Sequence, residues 1–212
     1  MTRYSHVTFA LLLGLTAKAF AQGNYYYPEG PVVQGLFEAG GAVSTGDSSR
    51  FLDGGFTLGG GVLVHPAPGP LAFRATFDYT RLEASRELID EASAATGTDF
   101  RHGQAEIYSL RLNALFEVPL SPFTRGYLTA GVGGANERLS LDRDFRPPVL
   151  GVEFFPGAFA GRRDDSDFTY NVGAGLNFSQ GNWESFFVEA TYEHVNTPQA
   201  TTFVPIRVGV HF

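Results

Sequence analysis

The stretch LAFRATFDY, residues 71–79, decides the fold because apolar and polar side chains alternate along its length. Successive side chains of a β-strand point to opposite faces, so one face of this segment is apolar and aromatic. The other face carries Arg74 and Asp78 beside small residues. The segment is therefore predicted to be a strand with one apolar and one polar surface.

The same alternation recurs along the chain and predicts eight strands. They span residues 33–43, 54–64, 71–81, 105–118, 124–138, 167–179, 185–195 and 202–212. The second, fourth and sixth connections are tight turns, whereas the others are mostly longer. An even number of strands joined alternately by short turns and long loops is typical of an outer-membrane barrel. We predict an all-β fold, an eight-stranded antiparallel up-and-down transmembrane β-barrel that closes as a meander over residues 33–212.

The charges separate this barrel from a soluble one, in which the charged face would point outward. Here the apolar face carries aromatic residues at both ends, for example Tyr170 and Phe178, eight residues apart. Eight residues rise ~26 Å along a strand, or ~20 Å along the membrane normal, close to the apolar band of a membrane barrel. The polar face then points inward and holds a predicted interior charge network of Glu38, Arg74, Asp78, Arg111, Glu117, Arg125, Glu189, Glu193 and Arg207.

The first residues predict export. The short MTRYSH segment carries Arg3, an apolar run follows over residues 7–17, and AFA at residues 19–21 places small residues where a signal peptidase reads. The apolar run is shorter than the ~20 residues of a membrane-spanning helix. We therefore predict a cleaved signal peptide over residues 1–21 and a periplasmic N-terminal segment over residues 22–32.

Composition excludes several classes of function. The net charge of −7 provides no basic footprint for nucleic acid, so no nucleic-acid partner is expected. The absence of cysteine excludes disulfides and thiolate-ligated metals. The five histidines show no metal-ligand spacing, so neither a metal site nor a cofactor is expected.

The signal segment, the eight strands, the alternating loop lengths and the terminal Phe212 together resemble the small outer-membrane barrel domain of the OmpA/OmpX type. In that family the last strand is read by the barrel-assembly machinery. The resemblance therefore implies an assembly signal at Val208, Val210 and Phe212, and that machinery as a partner during biogenesis. No residues follow the eighth strand here, so the resemblance is not extended to a periplasmic wall-binding domain.

The interior of an eight-stranded barrel is only wide enough for side chains to fill it. Unpaired buried charges are costly, so the inward charges are predicted to pair, with Arg207 facing Glu38 and either Glu189 or Glu193. Two interpretations stay open. The network is either a polar plug that keeps the barrel rigid, which we favour, or a path for ions.

A second resemblance concerns YEHVNT, residues 192–197, which is similar to the H-x-S-N motif of lipid A deacylases. His194 matches the histidine, but Asn196 stands where the nucleophilic serine is required. His194 is also predicted to lie on the lipid-facing side. Deacylase-like activity is therefore the least favoured alternative.

Two long loops carry further signals. Residues 85–95, SRELIDEASAA, predict a short surface helix capped by Ser85. The loop near residues 147–165 is unusually apolar, and its candidates for surface contact are Phe154, Phe155, Phe159, Arg162 and Arg163. The alternatives for this loop are a strand extension or a lid, and its arginines either meet lipopolysaccharide phosphates or pair with neighbouring aspartates.

The sequence thus predicts a non-enzymatic protein of the cell outer membrane with a structural or surface-interaction role. A small-solute channel is the main alternative. The expected partners are outer-membrane lipid and lipopolysaccharide, the assembly machinery and an unidentified surface partner.

Overall fold

The computed structural model describes residues 30–97, 99–143, 163–179, 185–196 and 200–212. The strands in this part of the chain are β1 (Val32–Ser44), β2 (Leu52–His65), β3 (Leu71–Ala84), β4 (Phe100–Ser121), β5 (Thr124–Arg143), β6 (Arg163–Ser179), β7 (Ser185–Val195) and β8 (Thr201–His211). Each strand pairs antiparallel with the next, and β8 returns to pair with β1. The predicted eight-stranded antiparallel barrel is confirmed.

The predicted signal peptide, residues 1–21, and most of the following segment lie outside the described residues. Within the described part of the chain, the structure contains no helix with the length and apolar character needed to cross a membrane.

The barrel is apolar outside and charged inside. Phe77 is 56% exposed on the outer surface, whereas the next residue, Asp78, is 1% exposed in the interior. The aromatic residues predicted for the two rims also lie on the outer face. Near the short turns these are Phe73, Phe116, Phe178, Phe186 and Phe212, and near the long loops they are Tyr79, Tyr108, Tyr170 and Tyr192. We call these two ends of the barrel the turn end and the loop end.

Several strands continue further at the loop end than the sequence predicts. β4 begins at Phe100 instead of residue 105, β5 ends at Arg143 instead of 138, and β6 begins at Arg163 instead of 167. The alternation of apolar and polar residues ends near the tyrosine rim, but backbone pairing between β4 and β5 continues to Phe100 and Arg143. From Tyr108 to Phe100 the strand rises a further ~26 Å along its axis. A three-stranded extension therefore stands beyond the tyrosine rim.

The two connections that follow β1 and β3 are folded against the barrel wall. The first contains a 3-10 turn, Gly46–Arg50, whose Ser48 hydroxyl donates to the Ala200 carbonyl (3.0 Å). The second contains helix α1, Arg86–Thr96, and the predicted helix with its Ser85 cap is confirmed, since Ser85 Oγ accepts from the Leu88 amide at 3.2 Å. Gly97 ends α1 with a φ of +65°, a left-handed conformation that favours glycine.

The seam between β1 and β8 closes the ring. The backbone groups of Gly35 and Phe212 exchange hydrogen bonds of 2.8 and 2.9 Å. The Phe212 ring lies over Gly35 on the outer face, where a Cβ at position 35 would be 2.6 Å from ring atom Cε2. On the other side of β8, pairing with β7 passes from Ala190–Ile206 to Glu193–Phe203 without a change of register. Pro205 lies in this gap, as expected for a residue that has no N–H to donate.

The Gly35→Val variant tests whether the Phe212 ring must pack on a glycine at the seam. The new side chain would collide with the Phe212 ring, so the ring would have to swing away from the seam and lose its contact there. We expect a lower urea midpoint and weaker heat-modifiable gel migration. Gly134→Val is the matched control, because a Cβ on that outward-facing glycine would have nothing within 4 Å. Equal losses of stability in the two variants would show that the ring needs no glycine beneath it.

Candidate functional site

A cluster of seven charged residues fills the middle of the barrel. All are at most 3% exposed, and they come from β1, β3, β4, β7 and β8: Glu38, Arg74, Asp78, Arg111, Glu189, Glu193 and Arg207. We call them the central cluster. The alternation of each strand places them inside, because the apolar neighbours of every member face outward.

The ion pairs of the central cluster cross the lumen. Arg74 on β3 donates from Nη2 to both carboxylate oxygens of Glu189 on β7, at 2.8 and 2.7 Å. Arg111 on β4 holds Asp78 Oδ2 through Nε at 3.0 Å and Nη2 at 2.7 Å, and its Nη1 contacts Glu193 on β7. Opposite walls of the barrel are therefore joined by charge-assisted hydrogen bonds.

Arg207 joins the remaining members of the central cluster. Its Nη2 donates to Glu193 Oε1 at 2.5 Å and its Nη1 donates to the Thr191 hydroxyl at 2.8 Å. Its Nε lies 3.2 Å from Glu38 Oε1, and Nη1 lies 3.9 Å from Glu189. Arg207 thus faces Glu38 and both glutamates of β7, where the sequence predicted at least one of the two.

An apolar layer lies on each side of the central cluster. Toward the loop end the buried apolar residues are Ala42, Leu52, Leu82, Ala105, Ile107, Ala135, Val195 and Phe203. Toward the turn end they are Leu36, Leu63, Ala72, Leu115 and Tyr127. The sequence analysis did not predict these layers, because it assigned every inward position to a polar face.

Two of the nine predicted network residues lie apart from the central cluster, beyond the turn-end layer. Arg125 Nη1 donates to Glu117 Oε2 at 3.3 Å, and Glu117 Oε1 is 3.4 Å from His65 Nε2. In the same region the Ser185 hydroxyl and His211 Nδ1 are 2.9 Å apart. The predicted network is therefore divided into two groups.

The inward glycines provide space for neighbouring side chains and for closely approaching backbone. A Cβ at Gly131 would collide with the Asn113 amide, and one at Gly175 would collide with the Tyr127 ring. At Gly133 and Gly173 the obstacles include the backbone of the neighbouring strand. Glycine at these positions therefore makes room for an amide, a phenol ring and closely approaching strands.

His194 lies on the outer face near the tyrosine rim. Its ring packs on Tyr170 with a centroid distance of 4.9 Å, and its Nδ1 is 2.9 Å from the Thr202 hydroxyl. The sequence motif lacked a hydroxyl beside this histidine, and β8 provides one. The described contacts of His194 contain no carboxylate to orient the ring as a general base, as a Ser-His-acid triad requires.

Most of the loop candidates cannot be placed. Phe154, Phe155, Phe159 and Arg162 lie outside the described residues, and Arg163 is the first residue of β6. The loops that are described hold a surface ion pair instead: Arg50 Nε donates to Glu87 at 2.6 Å and Nη2 donates to Glu91 at 3.0 Å. The hydrogen bond that Arg50 donates to Glu87 raises the pKa of the Arg50 guanidinium. No group of metal-ligating side chains occurs in the part of the chain that the structure describes.

A sequence model described as "Outer membrane protein beta-barrel domain" matches residues 7–212. The chain belongs to this family. The OmpA/OmpX-type resemblance is thus confirmed, and the protein is a barrel of the cell outer membrane that spans the membrane with its strands. Comparison with curated proteins gives no match.

Solved structures of small outer-membrane barrels resemble this chain. Neisserial surface protein A, from Neisseria, has 14% identity and a TM-score of 0.53, covering 86% of this chain and 98% of its own. The attachment invasion locus protein Ail of Yersinia pestis has 16% identity and a TM-score of 0.44, covering 87% and 99%. A major outer membrane protein from Thermus thermophilus has 14% identity and a TM-score of 0.47, covering 85% and 98%. The likeness to the Neisserial protein establishes the fold alone.

Replacement of Arg74 tests the energetics of the lumen-crossing pairs. Arg74→Met leaves the Glu189 carboxylate buried with the Arg207 guanidinium 3.9 Å away, and breaking a buried pair in this way costs ~3–5 kcal/mol. The double variant Arg74→Met/Glu189→Met removes both charges and should recover most of that loss. Urea unfolding of the refolded barrel measures both effects.

The exposed pair of Arg50 provides the comparison for these variants. Arg50→Met removes contacts that lie in solvent, so no measurable change in the urea midpoint is expected. If Arg50→Met lowered the urea midpoint as much as Arg74→Met does, burial would not determine how much these ion pairs contribute to stability.

Proposed function

We propose that the protein is a sealed outer-membrane barrel whose interior is a charge-paired plug and whose loop end makes surface contacts. One observation supports the plug above all: the central cluster is enclosed between two apolar layers. An ion on a path through the lumen would lose its water between the side chains of both layers, which are mostly apolar. It would then meet guanidinium and carboxylate groups that are already bound to each other.

The loop end supports the proposed surface role. Short turns are periplasmic and long loops extracellular in outer-membrane barrels, so the three-stranded extension and helix α1 face the exterior. Helix α1 is held by Ser93, whose Oγ accepts from the Phe100 amide at 3.1 Å, and its charged residues point into solvent. Rigid scaffolds that present ordered loops commonly use them for recognition. We infer that lipopolysaccharide and an external partner are contacted from this end.

We do not extend the proposal to lipid modification. The hydroxyl of Thr202 approaches His194 through Nδ1, the nitrogen that a carboxylate orients in hydrolytic triads. Together with the stacked Tyr170 ring, this contact is well explained as a link between β6, β7 and β8 at the rim. The Thr202 hydroxyl beside His194 is therefore explained by its part in holding these strands together at the rim.

Single-channel recording in planar bilayers tests the plug. We expect no current steps from barrels that show heat-modifiable gel migration, because the apolar layers exclude hydrated ions. A known pore protein in the same bilayers establishes that insertion is detected. Reproducible steps from the folded protein would replace the plug with the channel alternative.

Site-specific labelling tests which end faces outward. The chain has no cysteine, so single substitutions can be labelled without background. Asp90→Cys on α1 should react with a membrane-impermeant maleimide on intact cells, whereas Ala67→Cys in the exposed turn after β2 should react only after the outer membrane is permeabilised. The reverse pattern would mean that the loop end faces the periplasm and would remove the proposed surface role.

A further inference from the structure

The central cluster contains one more acid than base. Four carboxyl groups, Glu38, Asp78, Glu189 and Glu193, face three guanidinium groups, Arg74, Arg111 and Arg207. The next charged layer does not correct the difference, since Glu117 and Arg125 pair with each other. If every group were ionised, a net negative charge would be buried between two apolar layers. Such a charge carries a desolvation penalty of several kcal/mol, which a bound proton removes.

Two of the acids approach each other. Glu38 and Asp78 both face Gly59, which pairs with Glu38 on one side and with Asp78 on the other. Glycine leaves the space above β2 open, and the two side chains fill it. A Cβ at position 59 would lie 3.1 Å from Glu38 Cγ and would collide with Asp78 Oδ1. The Asp78 carboxyl group and the Glu38 side chain therefore lie over the same glycine.

The hydrogen bonds identify which acids lack a donor. Both oxygens of Glu189 accept from Arg74, and Glu193 Oε1 accepts from Arg111 and Arg207. Asp78 Oδ2 accepts from Arg111. In contrast, both oxygens of Glu38 and Oδ1 of Asp78 are buried without a hydrogen-bonding partner. Buried polar atoms normally have one, and a carboxylic O–H would supply it here.

We propose that the barrel folds around one proton, held between the Glu38 and Asp78 carboxyl groups. The proton makes the central cluster neutral and supplies a hydrogen bond between carboxyl oxygens of Glu38 and Asp78 that otherwise have no partner. Glu38 is the protonated partner, because its contacts with Arg207 at 3.2 Å and Arg111 at 3.9 Å do not form hydrogen bonds. The charged groups facing the pair are Arg74 from β3, Arg111 from β4, Glu189 and Glu193 from β7, and Arg207 from β8.

The proposal gives the barrel a defined response to pH. Unfolded Asp and Glu side chains release their protons near pH 4, so at neutral pH the unfolded chain has no proton on either group. Folding then takes up one proton, and the folding equilibrium constant falls about tenfold for each unit of rising pH until the folded pair releases it. A fully ionised cluster would show no such dependence from this pair.

The test compares the refolded wild-type protein with Glu38→Gln, which mimics the protonated acid. We expect an infrared band of a protonated carboxyl group in the wild-type barrel at pH 7.5, shifted in deuterium oxide and absent from the variant. In urea unfolding, the ratio of wild-type to variant folding constants should fall by up to tenfold per pH unit above pH 5. Titratable groups common to both proteins contribute equally and cancel in this ratio.

Glu117→Gln is the matched control. It removes a buried carboxyl group outside the central cluster and should keep the band. Absence of the band from the wild-type protein, its persistence in Glu38→Gln, or a ratio independent of pH would overturn the proposal. If Glu38→Gln does not fold, the wild-type and Glu117→Gln spectra decide together. Solvent-exposed acids are ionised at pH 7.5 and contribute no such band, and a band that persists in Glu117→Gln does not come from Glu117.

Discussion

Closure of the sheet is the constraint on which the rest of this structure depends. In hydrocarbon an unpaired backbone N–H or C=O has no water to bind, so the ladder must have no open edge. The hydrogen bonds between Gly35 and Phe212 complete it, and the Phe212 ring covers the glycine at the seam. Pro205 breaks one ladder of β8 only in the half of the strand nearer the loops, and β1 still pairs with the same residue. The β7–β8 ladder thus tolerates one missing donor, whereas the seam between β1 and β8 stays paired at this residue.

Closure with eight strands also determines what the interior can contain. The ring is narrow enough for Arg74 on β3 to reach Glu189 on β7 with two short hydrogen bonds. Each inward charge therefore has another within reach, and burial between the apolar layers makes pairing necessary. Leu63 and Phe203 lie in the two apolar layers, on opposite sides of those charges.

The sequence alone predicted the features that depend on one strand or on neighbouring strands. The alternation of Phe77 and Asp78 gives the face of each residue, and the proximity of Arg207 to Glu38 follows from the order of β8 and β1. Contacts across the lumen depend on the stagger of the whole ring, which no local pattern contains, so the Arg111–Glu193 pair was not predicted. The outward continuation of β4 to Phe100 was missed for a related reason: backbone pairing sustains it after the alternation of side chains has ended.

A charged interior also specifies the register of the barrel. A slip of one residue in β3 would move Asp78 and Arg74 into lipid and Phe77 into the lumen. The ionised groups would then lose their partners in hydrocarbon, a penalty far larger than the loss of apolar packing in a soluble sheet. An apolar interior would impose no such penalty, since lipid and core would accept the same side chains. The burial of charge lowers the stability of this barrel, but it leaves only one register in which the strands can pair. A protein that assembles within a membrane requires such a single register.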